Sequence, residues 1–176
     1  MAMRQERRPP PPLDAAALER LALRYVERFA TTRGKLAEYL GRKIRERGWD
    51  GEAADPRALA QRMADLGYVD DRLFAESKAA SLGRRGLGAR RVTMALRQAL
   101  IDEADAEGLA PAIEERAGAA ALIFARRKRI GPFGPATGDR AVRDRQLAAM
   151  LRAGHDFALA RRIVTAQSED DIGELD

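Results

Sequence analysis

The chain has 176 residues, with 32 Lys and Arg against 27 Asp and Glu and a single His, for a formal net charge of +5. It has no Cys, which removes thiolate metal sites, disulfides, iron–sulfur clusters and Cys nucleophiles, and one His leaves almost no His-based metal or triad arrangement. At 45% hydrophobic but only 5% aromatic residues, the chain has material for a core, and that core must be aliphatic and small-residue.

In chain order, residues 1–12 combine charges with a four-proline run and no apolar segment, and are expected to form a disordered Pro/Arg-rich arm. Leu18, Leu21, Ala22, Tyr25, Val26 and Phe29 then recur at helical spacing behind Asp14 as N-cap, with Leu13 and Leu18 spaced as a hydrophobic staple. A second helix is expected from a Thr32 cap through Leu36, Tyr39, Leu40 and Ile44 to a stop at Gly48. Asp55-Pro56 is a cap followed by proline at the first helical position, and it opens a third helix with Leu59, Met63 and Leu66 inward and Gly67 as its stop.

The same unit then recurs. Asp70 is placed to cap a helix holding Leu73, Phe74 and Ser77; Val92, Ala95, Leu96 and Leu100 mark another after the Gly83–Gly88 break. A sixth lies between Asp102 and Arg116, weakened by Gly108 and Pro111. A third round has Leu122 and Ile123, then Val142, Leu147, Met150 and Leu151 up to Gly154, then Asp156 capping Leu159, Ala160, Ile163 and Val164. Positions 48, 100 and 154 match one another at separations of 52 and 54 residues, the signature of a three-helix repeat. The expectation is an all-α chain of about nine helices, as three tandem repeats over 13–69, 70–116 and 117–167 in an elongated curved array. The last nine residues, 168–176, hold five acids and no base and are expected to be a mobile acidic tail. The longest apolar stretch, Ala117 to Ala125, is too short to span a bilayer, so a cytoplasmic protein without membrane contact, and a monomer, is expected.

Few residues invite chemistry. Adjacent carboxylates such as Asp70 and Asp71 can hold a divalent ion or share a proton, but with no further ligand at suitable spacing one or the other reads as a cap of the helix containing Phe74. His155 stands where the first round has Trp49, just after a helix-stopping Gly, and reads as packing or a partly exposed interface rather than an acid–base group. Trp49, Tyr39, Tyr68 and the Met residues sit on core spacings. The glycines at 83–88 contain a G-x-G, yet follow a helix rather than a strand, so no phosphate loop is expected. No catalytic residue, metal or cofactor is assigned. The basic clusters are more informative: 28 of the 32 cations are Arg, whose planar fork suits phosphates and carboxylates. Arg84, Arg85, Arg90 and Arg91 flank the glycine-broken turn with no acid between Glu76 and Asp102, and Arg126, Arg127, Lys128 and Arg129 end a helix, where their charge also complements its dipole. These eight are the candidate contacts for a polyanionic partner.

The segment Gly67-Tyr68-Val69-Asp70-Asp71-Arg72-Leu73-Phe74-Ala75 resembles the signature of the RecX family, regulators of the bacterial recombinase RecA. The turn Arg85-Gly86-Leu87-Gly88 is similar to that family's middle-repeat turn, residues 126–133 resemble a stretch of its alphaproteobacterial branch, and residues 152–161 resemble its closing repeat. The resemblance covers about residues 15 to 167. It departs at Gln98-Ala99-Leu100-Ile101, where the family has a Lys-Gly-aliphatic turn, and at Gly154-His155, where it has Gly-Phe. Membership implies structural roles for Gly67, Tyr68, Asp70, Asp71 and Phe74. It also implies three-helix repeats along the helical groove of the RecA–DNA filament, limiting ATP hydrolysis, strand exchange and LexA co-cleavage in recombination and the SOS response, and favouring filament disassembly. The alternative is a helical regulator acting directly on single- or double-stranded DNA, since three-helix units can place a helix in a major groove.

Overall fold

A computed structural model describes residues 11–136 and 138–173 of the chain. The described residues hold ten α-helices and no strand, apart from one isolated bridge between Leu13 and Trp49. The expected all-α class is therefore found. The arm expected over residues 1–12 lies, for residues 1–10, outside the described residues, as do 174–176 of the tail. The chain divides into two compact units, at Asp71/Arg72.

The first unit carries α1 (Ala15–Arg28), α2 (Arg33–Arg47) and α3 (Pro56–Asp65), and each begins where a short polar side chain satisfies an orphan N–H. Asp14 accepts from Ala17, Thr32 from Lys35, and Asp55 from Arg57 and Ala58, with Pro56 following Asp55. Leu13, Leu18, Ala22, Leu36, Leu40, Ala60, Met63 and Val69 form the core. Tyr39 is half-buried and stacks on Tyr25 at 4.2 Å between centroids, and Trp49 packs at the core's edge. Tyr68 does not follow the core expectation: it is 53% exposed, because the Gly67 turn ends α3 just before it and turns its ring outward.

Of the adjacent pair Asp70 and Asp71, the second works across the unit rather than on α4. It does not cap its own helix: one oxygen accepts the Arg33 backbone N–H at 2.8 Å, and the other accepts Arg33 Nε at 3.1 Å. Its carboxylate, 5% exposed, therefore sits at the N-terminus of α2, where an anion meets both unpaired N–H groups and the positive end of the helix dipole. Arg33 reaches on to Gln61 on α3, so one buried acid orders the start of α2. Asp70 is exposed and directly precedes α4.

The second unit contains most of α4 (Asp71–Arg84) and all of α5 (Ala89–Gln98), α6 (Glu103–Gly108), α7 (Ala110–Glu115), α8 (Ala117–Lys128), α9 (Arg140–Arg152) and α10 (Phe157–Thr165). The expected sixth helix is two pieces, α6 and α7. Gly108 weakens the helix and Pro111 has no N–H to donate, so the chain breaks at Leu109, which is buried. The buried residues of this unit form two clusters. One centres on Ala75, Leu96, Ala99, Ile101 and Leu109, with Phe74 packed against it half-buried rather than at its centre. The other joins Ala121, Phe124, Ala125, Ile130, Met150, Ala160, Ile163 and Val164 to Ile172.

Within the segment expected as a mobile acidic tail, residues 168–176, Ile172 is docked. Residues 170–172 make a 3-10 turn, Ile172 is 2% exposed, and its carbonyl accepts Arg162 Nε at 2.5 Å. Five acids dominate the composition there and hide Ile172, an apolar side chain that docks.

Candidate functional site

Four helices of the second unit share one way of ending. In this arrangement the residue after the helix adopts positive φ, its N–H bonds to the carbonyl three residues earlier, and the next residue's N–H bonds to the carbonyl five residues before itself. Gly86 (φ 74°) closes α4, with Gly86 N to Gly83 O at 2.8 Å and Leu87 N to Leu82 O at 3.1 Å. Leu100 (φ 55°) closes α5, Arg129 (φ 56°) closes α8 and Gly154 (φ 93°) closes α9, each with the same pair of bonds. After the last three turns the following residue packs inward: Ile101, Ile130 and His155 are all buried.

Two of these turns interlock. A Cβ on Gly88 would lie 2.4 Å from the Gly154 carbonyl carbon, and one on Gly154 would lie 2.6 Å from Arg91 N, so both glycines are required for the backbones to touch. α5 starts at Gly88 without any side-chain cap. The neighbouring turn supplies one, because Ala153 O accepts Gly88 N at 3.0 Å and Gly154 O accepts Arg90 N at 3.2 Å. His155, 1% exposed, lies beneath, with Nε2 donating to Gly86 O at 3.1 Å and its ring tilted on Phe124 at 5.4 Å between centroids. Its Nδ1 is buried and bonds nothing. Burial holds the imidazole below its ordinary pKa, against a smaller upward pull from the Gly86 carbonyl, so the ring is a neutral packing group, and of the two expected roles the partly exposed interface is not the one found.

This interlock brings the two basic clusters together. Gly86 lies against the Phe124 backbone, and Arg127 Nη1 donates to Arg85 O at 2.8 Å while its guanidinium sits 5.5 Å from the Phe124 ring. All eight candidate cations are exposed, but they are not equivalent. Arg90 stands 4.0 Å from Asp156, and Arg126 pairs with Glu169 and covers Phe133. Such exposed pairs hold little energy. Arg84 and Arg129 flank turns, and Arg129 supplies the left-handed residue that ends α8.

Arg91 and Lys128, one from each cluster, line a groove of about 500 Å³ between α5, α8 and α9. Sequence reasoning missed two of its other walls, Arg152 and Met94. Arg152 presents the groove's third cation, and its carbonyl accepts Arg91 Nε at 2.9 Å. Met94, expected in the core, is 47% exposed, because α5 turns Val92 and Leu96 inward and leaves Met94 on its outer side. The signal was present as Arg91, Met94, Ala95 and Gln98, which fall at i, i+3, i+4 and i+7 on one face of α5. Among the described residues, no carboxylate lines the groove. Among the described residues, Arg91, Lys128 and Arg152 form no ion pair. The groove's charged side chains are thus all cations among the described residues. No helix among the described residues is long and apolar enough to cross a membrane.

A family model described as the second three-helix domain of RecX matches residues 70–108. The chain is 36% identical over 156 residues to the regulatory protein RecX of Myxococcus xanthus (strain DK1622), covering 84% of this chain and 83% of that protein. It is 35% identical over 164 residues to the regulatory protein RecX of Thermobifida fusca (strain YX), covering 89% of this chain and 81% of that one. No solved structure matches the chain.

Proposed function

The chain belongs to the RecX family of regulatory proteins, and from that premise we propose that it is a negative modulator of RecA. It binds in the groove of the RecA–DNA filament in the cytoplasm as a monomer, and limits ATP hydrolysis, strand exchange and LexA co-cleavage by binding rather than by catalysis. Three helical repeats, over 13–69, 70–116 and 117–167, form the binding array. The observation that carries this reading is the spread of exposed cations over several helices, with Arg91, Lys128 and Arg152 on one acid-free surface. Cations so distributed can meet acidic protein and DNA phosphate together, which gives fast, salt-dependent association.

The test is the ATPase rate of RecA on single-stranded DNA with and without the protein. The protein lowers that rate, and replacing Arg84, Arg85, Arg90 and Arg91 together by Ala weakens the inhibition at least several-fold and flattens its salt dependence, with the melting temperature nearly unchanged. Equal inhibition by wild type and the quadruple variant from low to physiological salt removes the 84–91 patch, and Arg126 to Arg129 is then tested in the same way. An unchanged ATPase rate with wild type removes the proposal. Arg90 and Arg91, in the first turn of α5, favour the second reading, a regulator acting on DNA directly. A quadruple variant that still inhibits RecA but no longer binds naked duplex supports it.

A further inference from the structure

The groove between α5, α8 and α9 has a composition that the cation clusters alone do not explain. Its rim carries Arg91, Lys128 and Arg152, and its walls include Met94, Ala95 and Ala149. The three cations therefore share one groove with apolar surface, in which Met94 is 47% exposed. Methionine is the apolar side chain that adapts most readily to a partner's shape. Single-stranded nucleic acid fits this groove poorly. Single strands bind by stacking bases on aromatic faces, and the groove's one aromatic, Phe124, is 7% exposed with Arg127 over its ring. A small anion fits no better, because the only polar side chains lining the groove lie at exposed positions. Arg91 is held at the rim through Nε by the Arg152 carbonyl, and its terminal nitrogens remain for a carboxylate.

We infer that this groove is the docking site for an acidic amphipathic segment of a protein partner, with the segment's apolar side chains on Met94, Ala95 and Ala149 and its carboxylates on Arg91, Lys128 and Arg152. The inference deepens the proposed function and rests on it for the partner being a protein. Apolar contact on Met94 supplies affinity that salt does not screen, while the three cations set approach and register.

The experiment is fluorescence anisotropy with a labelled helix-forming peptide carrying Leu at i, i+3, i+4 and i+7 and Glu between them. A scrambled peptide of the same composition and an oligothymidylate serve as comparisons. The patterned peptide binds about tenfold or more tightly than the scrambled one, and Met94→Glu or the double variant Lys128→Glu/Arg152→Glu loses about tenfold or more. Far-ultraviolet circular dichroism and melting temperature unchanged in Met94→Glu, whose side chain is exposed, show that the fold is kept. Equal binding of patterned and scrambled peptides overturns the inference, since charge alone then suffices. So does binding of oligothymidylate without binding of the patterned peptide. RecA ATPase run in parallel separates the two readings. Inhibition by Met94→Glu as strong as by wild type overturns the groove and leaves the proposed function standing. Absence of inhibition by wild type overturns the proposed function, and the peptide titration still decides the groove.

Discussion

Leu100 and Gly154 end corresponding helices, α5 and α9, with the same pair of backbone bonds and the same left-handed twist, at φ 55° and 93°. Their surroundings are opposite. Gly154 is wedged against the backbone of Arg91 and caps α5, whereas Leu100 is 44% exposed. One turn tolerates a side chain at some strain because only the local twist is demanded of it. The other must be Gly because a second backbone occupies the place of Cβ. A helix-ending motif is thus a local requirement at Leu100 and a tertiary one at Gly154.

The largest expected effect follows from replacing Gly154 by Ala, which combines the left-handed penalty of about 1–2 kcal/mol with overpacking of about 1–3 kcal/mol. Chemical denaturation should show a loss of about 2–5 kcal/mol, and a loss under about 1 kcal/mol would mean that the two turns do not interlock. Gly88→Ala isolates the second of those contributions, since Gly88 has an ordinary φ of −76° and it is the close approach of the Gly154–His155 backbone that opposes a Cβ. It should lose about 1–3 kcal/mol. Leu100→Gly isolates the first, with the opposite sign: relief of the twist stabilises by about 1–2 kcal/mol, less a part for the greater freedom of Gly in the unfolded chain. A destabilised Leu100→Gly protein would show that the half-exposed side chain contributes more than the twist removes.

The smallest effect concerns the residue after Gly154. His155 is neutral in the fold, with its pKa pushed below the ordinary 6.5, so as pH falls through that value the unfolded chain takes up a proton that the folded chain refuses. Stability is then full above about 6.5 and declines below it until the folded-state pKa is passed, by no more than about 1.4 kcal/mol per pH unit. Asp156, whose carboxylate caps α10 and is held below its ordinary 3.8 by the Ala158 and Leu159 N–H groups, acts only at much lower pH. Thermal melts of wild type and His155→Phe between about pH 7 and pH 5 should therefore diverge, with wild type falling faster. Parallel curves would place the proton elsewhere.

Much of this molecule is legible in the linear chain. Asp14, Thr32, Asp55 and Asp156 can be read as caps because a cap needs only a short polar side chain beside its own helix, an interaction within three residues. The helical class follows from apolar spacing for the same reason, and the match of positions 48, 100 and 154 picks out three residues that all take positive φ. The exposure of the basic clusters is likewise carried by composition.

What the tertiary structure alone decided involves partners distant in sequence. Asp71 serves the helix that begins 38 residues earlier, His155 bonds a carbonyl 69 residues away, and Arg91 is held by the Arg152 carbonyl 61 residues on. No local pattern encodes those pairings, because each depends on which turn packs on which. Ile172, Met94 and Tyr68 follow the same rule: whether an apolar side chain is covered depends on what lies opposite it, and the linear chain records only its own side of that contact.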